Sequence, residues 1–125
     1  MTVSNWEKYP NFKKEEFDCK HTGENEMQED FIDALQRLRT AYGKPIVVTS
    51  GYRSLSHPIE AKKGKGGYHT KGIACDIGCG SQQAYEIISI ALKCGFNGIG
   101  VNQKGNGRFI HLDMRPYEDR LIYSY

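Results

Sequence analysis

The chain has four histidines, and two of them keep company that suits a metal. His69 is followed by Thr-Lys-Gly-Ile-Ala-Cys and then, seven residues on, by Asp76. Positions seven apart on an unbroken strand face opposite sides. Gly72 lies between them and can supply a bend, so His69 on a loop and Asp76 on the strand after it can converge. His111 lies in Phe109-Ile110-His111-Leu112-Asp113-Met114, where the alternation is strict. Phe109, His111 and Asp113 share one face; Ile110, Leu112 and Met114 share the other, which is the core face. The two-residue rise sets His111 and Asp113 about 7 Å apart along the strand. Two imidazoles and a carboxylate, with a fourth position left to water, make a catalytic zinc set. Zinc lowers the pKa of water to about 7 and polarises a carbonyl. A nearby carboxylate then serves as general base, and Asp113 is the residue placed for it. The same spacing also allows a plainer reading, a His–Asp surface pair on a strand with no metal.

Other reactive residues carry weaker signals. His57 sits in the loop ahead of His69, where it either lines a cleft or is solvated. Lys62, Lys63 and Lys65 form a basic, glycine-rich loop that would attract carboxylates, or is simply solvated. It is not a phosphate loop, since no GK[ST] follows and no helix opens after it. Cys19, Cys75, Cys79 and Cys94 form no CxxC pair and read as reduced, buried structural thiols. Cys19 and His21, one residue apart, are a weak metal pair. Tyr68, Tyr117, Tyr123 and Tyr125 either line a groove or complete the core.

The elements that must position these groups follow from periodicity. Residues 1–27 read as irregular, with Trp6, Phe12 and Phe17 as apolar anchors. Residues 28–42 read as a helix, because Phe31, Ile32, Leu35, Leu38 and Tyr42 recur at helical spacing. Glu29 and Asp30 suit its positive end, Arg37 and Arg39 its negative end, and Gly43 stops it. Ile46 to Thr49 is a short β-branched strand, and 51–67 a long loop. Ile73 to Ile77 is a strand that points Ala74 and Asp76 one way and Ile73, Cys75 and Ile77 the other. A second helix is expected from a Ser81 cap through Lys93, with Ala84, Ile87, Ile88, Ala91 and Leu92 inward and Gly95 closing it. Gly98–Val101 and Arg108–Met114 read as a hairpin. The expected fold is α+β, a small antiparallel sheet with helices mainly on one face.

A length of 125 residues predicts one domain, 1–125. Charged residues make up 26% and hydrophobic ones 38%, as in a globular chain. A formal net charge of +2 argues against nucleic acid as the main partner. No apolar run approaches the roughly 18 residues that span a bilayer, so no membrane partner is expected. Residues 1–10 lack the apolar stretch of a secretory signal, so action outside the cytoplasm would need another factor for release. A monomer is expected.

Ordered motifs then point to a family. Gly67-Tyr68-His69-Thr70-Lys71-Gly72-Ile73-Ala74-Cys75-Asp76 resembles the SxHxxGxAxD signature of the M15 peptidases. That family includes D-alanyl-D-alanine carboxypeptidases and dipeptidases and several phage endolysins; hedgehog signalling domains share its zinc site. Ser50-Gly51-Tyr52-Arg53-Ser54 resembles the family's SGYRS segment, Gly95 to Gly100 its GFxGIG segment, and Phe109 to Arg115 its FxHxDxR segment. With Asn11-Phe12 and Glu16-Phe17, the resemblance covers nearly the whole chain. It implies Zn2+ held by His69, Asp76 and His111. It also implies a substrate-binding or oxyanion role for Arg53, for which the plainer alternative is a structural salt bridge. The implied substrate is a peptidoglycan peptide, cut as by an endolysin, with D-Ala-D-Ala trimming or a non-catalytic zinc module as alternatives. Two positions depart from the pattern. Gly67 replaces the signature serine, and Arg108 stands three residues before His111, where well-studied members carry a catalytic Glu. Asp113 then either takes over as base or orients His111.

Overall fold

The computed structural model describes residues 1–64 and 66–125. Lys65, expected in the basic loop, lies outside the described residues. Five strands form one sheet in the order β1-β2-β4-β3-β5: β1 (Val47–Ser50), β2 (Ala74–Gly78), β3 (Gly98–Asn102), β4 (Phe109–Asp113) and β5 (Leu121–Ser124). The alternation seen in the sequence divides its faces. Cys75, Ile77, Ile99, Ile110 and Leu112 are all buried on one side. That face packs on helix α1 (Glu29–Tyr42) and helix α3 (Ser81–Ala91). Helix α1 contributes Phe31, Ile32, Leu35 and Leu38, all fully buried, and ends where Gly43 adopts a left-handed φ of 76°. The segment before it makes two short 3-10 turns and inserts Phe12 and Phe17 into the same core.

The α+β class holds, but the sheet is mixed rather than antiparallel. Strand β5, which no sequence signal marked, pairs parallel with β3 at the edge. A parallel neighbour needs a crossover, and residues 114–120 carry the chain from β4 past β3. The 51–67 stretch is also not all loop. It contains a short helix, α2 (Pro58–Lys63), with Pro58 in its first turn and the His57 imidazole accepting from the Ile59 amide. Ser81 does not cap α3: Gly80 holds that position and Ser81 is the first helical residue, at φ 49°. Helix α3 stops at Ala91, so Leu92 is 57% exposed rather than inward, and Gly95 closes the turn that follows.

One row of residues crosses the whole sheet on the face away from α1 and α3. Ser50 on β1 pairs with Asp76 on β2, Asp76 with His111 on β4, His111 with Gly100 on β3, and Gly100 with Tyr123 on β5. The register therefore brings together side chains that are up to 73 positions apart, from Ser50 to Tyr123.

Candidate metal centre and active site

Asp76 and His111 face each other because their strands are paired in that register, and His69 reaches them from the turn before β2. That turn depends on Gly72. It has φ 74°, and any Cβ there would collide with the backbone carbonyl of Glu26. The bend expected at Gly72 is thus confirmed, with a second reason for glycine.

All three candidate ligands are nearly buried: His69 is 6% exposed, Asp76 6% and His111 5%. One ligand atom from each lies within 4.8 Å of the others. His69 Nε2 is 3.4 Å from Asp76 Oδ1, and His111 Nδ1 is 3.1 Å from the same oxygen. A tetrahedral ion with bonds of about 2.0–2.1 Å needs donors roughly 3.3 Å apart, so the spacing fits zinc. The tautomers fit as well. His69 Nδ1–H donates to the Gly51 carbonyl at 2.8 Å, and His111 Nε2–H donates to Asp113 Oδ2 at 2.7 Å. Each ring then presents its other nitrogen, as a lone pair, toward Asp76. Among the described residues this is the one group of three that meets the ligand geometry. Cys19 and His21 do not form another; the Cys19 sulfur is spent on Ser54.

Asp113 is fully buried, and both its oxygens are occupied. Arg115 donates through Nε to Oδ1 at 2.9 Å and through Nη2 to Oδ2 at 2.7 Å, while its backbone N–H also reaches Oδ1. Burial pushes this carboxyl up, but hydrogen bonds from His111 and Arg115 outweigh it and hold the group well below the usual carboxylate range. The expected role as general base therefore has no geometric support. The carboxylate does not line the cavity and is held ionised by an arginine, which lowers its basicity. It is placed instead to fix His111. Gly98 makes room for it, since a Cβ there would run into the Asp113 carboxylate and Arg115.

Arg53 approaches from the other side. Its Nη2 is 3.3 Å from Asp76 Oδ2, its Nη1 is 3.5 Å from Glu60 Oε2, and its Nε donates to Ser50 Oγ at 3.2 Å. With a side chain 14% exposed, it still lines the cavity. Arg53 is therefore ion-paired, as the salt-bridge alternative had it, and it also lines the cavity.

Glu60 carried no sequence signal, being one acid in a glycine-rich stretch. It is fully buried on α2 and accepts from Gly67 N at 2.8 Å, Thr70 Oγ1 at 3.2 Å, Lys63 Nζ at 3.2 Å and Arg53. Burial pushes its carboxyl up, and these partners, led by the Gly67 amide, bring it below its ordinary value. One carboxylate thereby ties Arg53, α2 and the turn carrying His69 together. Arg115 was legible only as the last letter of a motif.

The cavity above these groups has a volume of about 470 Å³. Arg53 and Lys63 line it from the β1 and α2 side, Phe109, Tyr123 and Tyr125 from the β4 and β5 side, and Tyr68 and Arg115 line it too. Of the four tyrosines weighed from sequence, Tyr117 is elsewhere, stacked under Arg120. His57 caps α2 and is not in the cavity lining; Lys63 is. Arg108 turns away to Ser81 Oγ at 2.9 Å.

Among the described residues, no helix is long and apolar enough to cross a membrane. No curated protein matches the chain. The family model described as Peptidase M15 matches residues 10–113, a span that contains all three candidate ligands, Arg53 and Asp113. The chain belongs to the M15 peptidase family.

Proposed function

We propose that the protein is a zinc-dependent peptidase that hydrolyses an amide bond in the stem peptides or cross-links of peptidoglycan. The observation that carries this reading is the His69–Asp76–His111 cluster, with donor spacing suited to a tetrahedral ion, at the base of a cavity in an M15 domain. A zinc ion held there would supply Lewis acidity toward the scissile carbonyl and activate water.

The chain's own residues do the rest. His69 and His111 are locked by Gly51 and Asp113, so their lone pairs are preorganised. Asp113 acts through His111 as a positioning residue. Arg53, fixed by Glu60, Asp76 and Ser50, aims fixed positive charge at the place where the carbonyl oxygen becomes an oxyanion; such a donor is worth about 3 kcal/mol. Phe109 and Tyr125, with ring centroids 5.0 Å apart, limit water on the opposite wall. An endolysin-like internal cut is the leading form, and D-Ala-D-Ala trimming is the alternative within enzymes.

A second reading is a zinc-holding binding module without turnover. One observation favours it: the position that carries a catalytic Glu in studied relatives is Arg108, and it faces Ser81. Digestion of purified peptidoglycan by the zinc-loaded protein, beside a chelated control, separates the readings. Chelator-sensitive new peptide ends in the mass spectrum are expected, and the fragment masses name the bond. Bound zinc with no new ends from several wall types favours the binding module.

A further inference from the structure

Strand β5 lies outside the segment matched to the family, yet it supplies a wall of the candidate site. Its placement is not incidental. Tyr123 pairs with Gly100, which pairs with His111. A Cβ on Gly100 would lie 2.7 Å from Tyr123 Cζ and 2.8 Å from its hydroxyl. The missing side chain is thus the slot through which the Tyr123 ring crosses β3 to reach His111, at a centroid distance of 5.8 Å. Tyr125, two residues on and therefore on the same face, meets Phe109 edge-on, with ring centroids 5.0 Å apart. The segment is pinned at both ends, by Leu121 N to Asn97 O at 3.0 Å and by Tyr125 N to Val101 O at 3.2 Å. Lys104 Nζ donates to the Tyr125 carbonyl at 2.9 Å.

The two phenol oxygens are 3.4 Å apart. Such a pair uses at most one of its O–H groups internally, so one donor remains free. The charges around the site are divided. Arg53 faces the β1 and α2 side. Arg115, which lines the cavity 6.0 Å from the Tyr123 ring centroid, is paired with Asp113. The β5 wall therefore offers neutral donors on aromatic rings, which match a neutral acceptor rather than an anion.

We propose that Tyr123 and Tyr125 form a substrate subsite of the metal centre, in which the free phenol O–H takes a backbone carbonyl of the bound peptide one residue away from the scissile amide. The proposal rests on the peptidase reading, so its test includes measurements that do not need turnover. Two probes are compared by calorimetry on the zinc-loaded protein: acetohydroxamate, which reaches only the metal, and an N-acetyl dipeptide hydroxamate, which extends along the walls.

Wild type is expected to bind the longer probe more tightly. Tyr123→Phe keeps the ring over Gly100, so the fold is retained. The double variant Tyr123→Phe/Tyr125→Phe, which removes both O–H groups, is expected to weaken the longer probe about three- to tenfold, and either single variant by no more, leaving zinc affinity and acetohydroxamate within twofold. Gly100→Ala, which displaces the ring, is expected to reproduce that selective loss. Equal losses for both probes, or a parallel loss of zinc, would assign Tyr123 a purely structural role and overturn the proposal. No advantage of the longer probe in wild type would overturn it too. If wild type cleaves no wall peptide yet the selective loss appears, the peptidase reading fails while the peptide subsite stands.

Discussion

Asp113→Asn separates a residue that moves protons from one that holds a ligand. The side chain is fully buried between His111 Nε2 at 2.7 Å and the Arg115 guanidinium at 2.9 and 2.7 Å. Asparagine keeps the shape but has one acceptor and one donor end. If its oxygen faces His111, its NH2 opposes Arg115, donor against donor. If its NH2 faces His111, the ring must move its proton to Nδ1, which removes the lone pair a metal needs. Either way one charge-assisted hydrogen bond is lost. Outer partners of metal-bound histidines are typically worth ten- to a hundredfold in metal affinity, about 1.4–2.7 kcal/mol. The expected result is therefore zinc affinity lowered ten- to a hundredfold in a competition titration against a chromophoric chelator. Peptidase activity is expected to recover to within about tenfold of wild type at saturating zinc. The opposite pattern, unchanged zinc affinity with turnover down more than about a hundredfold, is what loss of a general base gives. It would refute the positioning role and return Asp113 to the role first read from its strand.

Arg53→Lys keeps a charge but not the fork that meets Asp76, Glu60 and Ser50; kcat is expected to fall about a hundredfold or more with zinc content unchanged, measured by metal analysis and steady-state kinetics. Gly98→Ala forces a methyl into the Asp113–Arg115 pair, so thermal unfolding should show a loss of about 1–3 kcal/mol, with weakened zinc binding besides. Glu60→Gln breaks a buried, multiply bonded carboxylate, which costs about 3 kcal/mol. Because the folded Glu60 carboxyl lies below its ordinary value, that contribution is present above the ordinary glutamate pKa and is lost as pH falls through the folded value. The gap in denaturant midpoint between wild type and Glu60→Gln should therefore be wide near neutrality and narrow in acid; a gap that widens in acid would contradict the assignment. Chelation should lower the unfolding temperature of wild type, and much less that of His69→Ala, since binding to the native state alone stabilises it by mass action.

The metal cluster was legible because its determinants are local. A histidine, a glycine bend and a strand aspartate lie within eight residues, and strict alternation displays His111 beside Asp113 on one face. The helices of the core were legible for the same reason, since the burial of Phe31, Ile32, Leu35 and Leu38 repeats at the helical period. What alternation cannot state is what a side chain meets once it leaves the strand. Asp113 shares a face with His111 whether it is free or clamped, and the clamp by Arg115 is a matter of rotamers in a space that Gly98 leaves open. Glu60 looked like any acid in a polar loop until α2 formed and buried it under Arg53 and the His69 turn. Strand β5 left the faintest trace of all. A parallel edge strand has no turn joining it to its neighbour, so no local pattern says that Tyr123 lies across Gly100 from His111. Residue type and spacing thus determined which groups could bind a metal. The tertiary register decided which carboxylate is clamped, which arginines line the cavity and which tyrosines close it, because those outcomes depend on contacts between segments far apart in the chain.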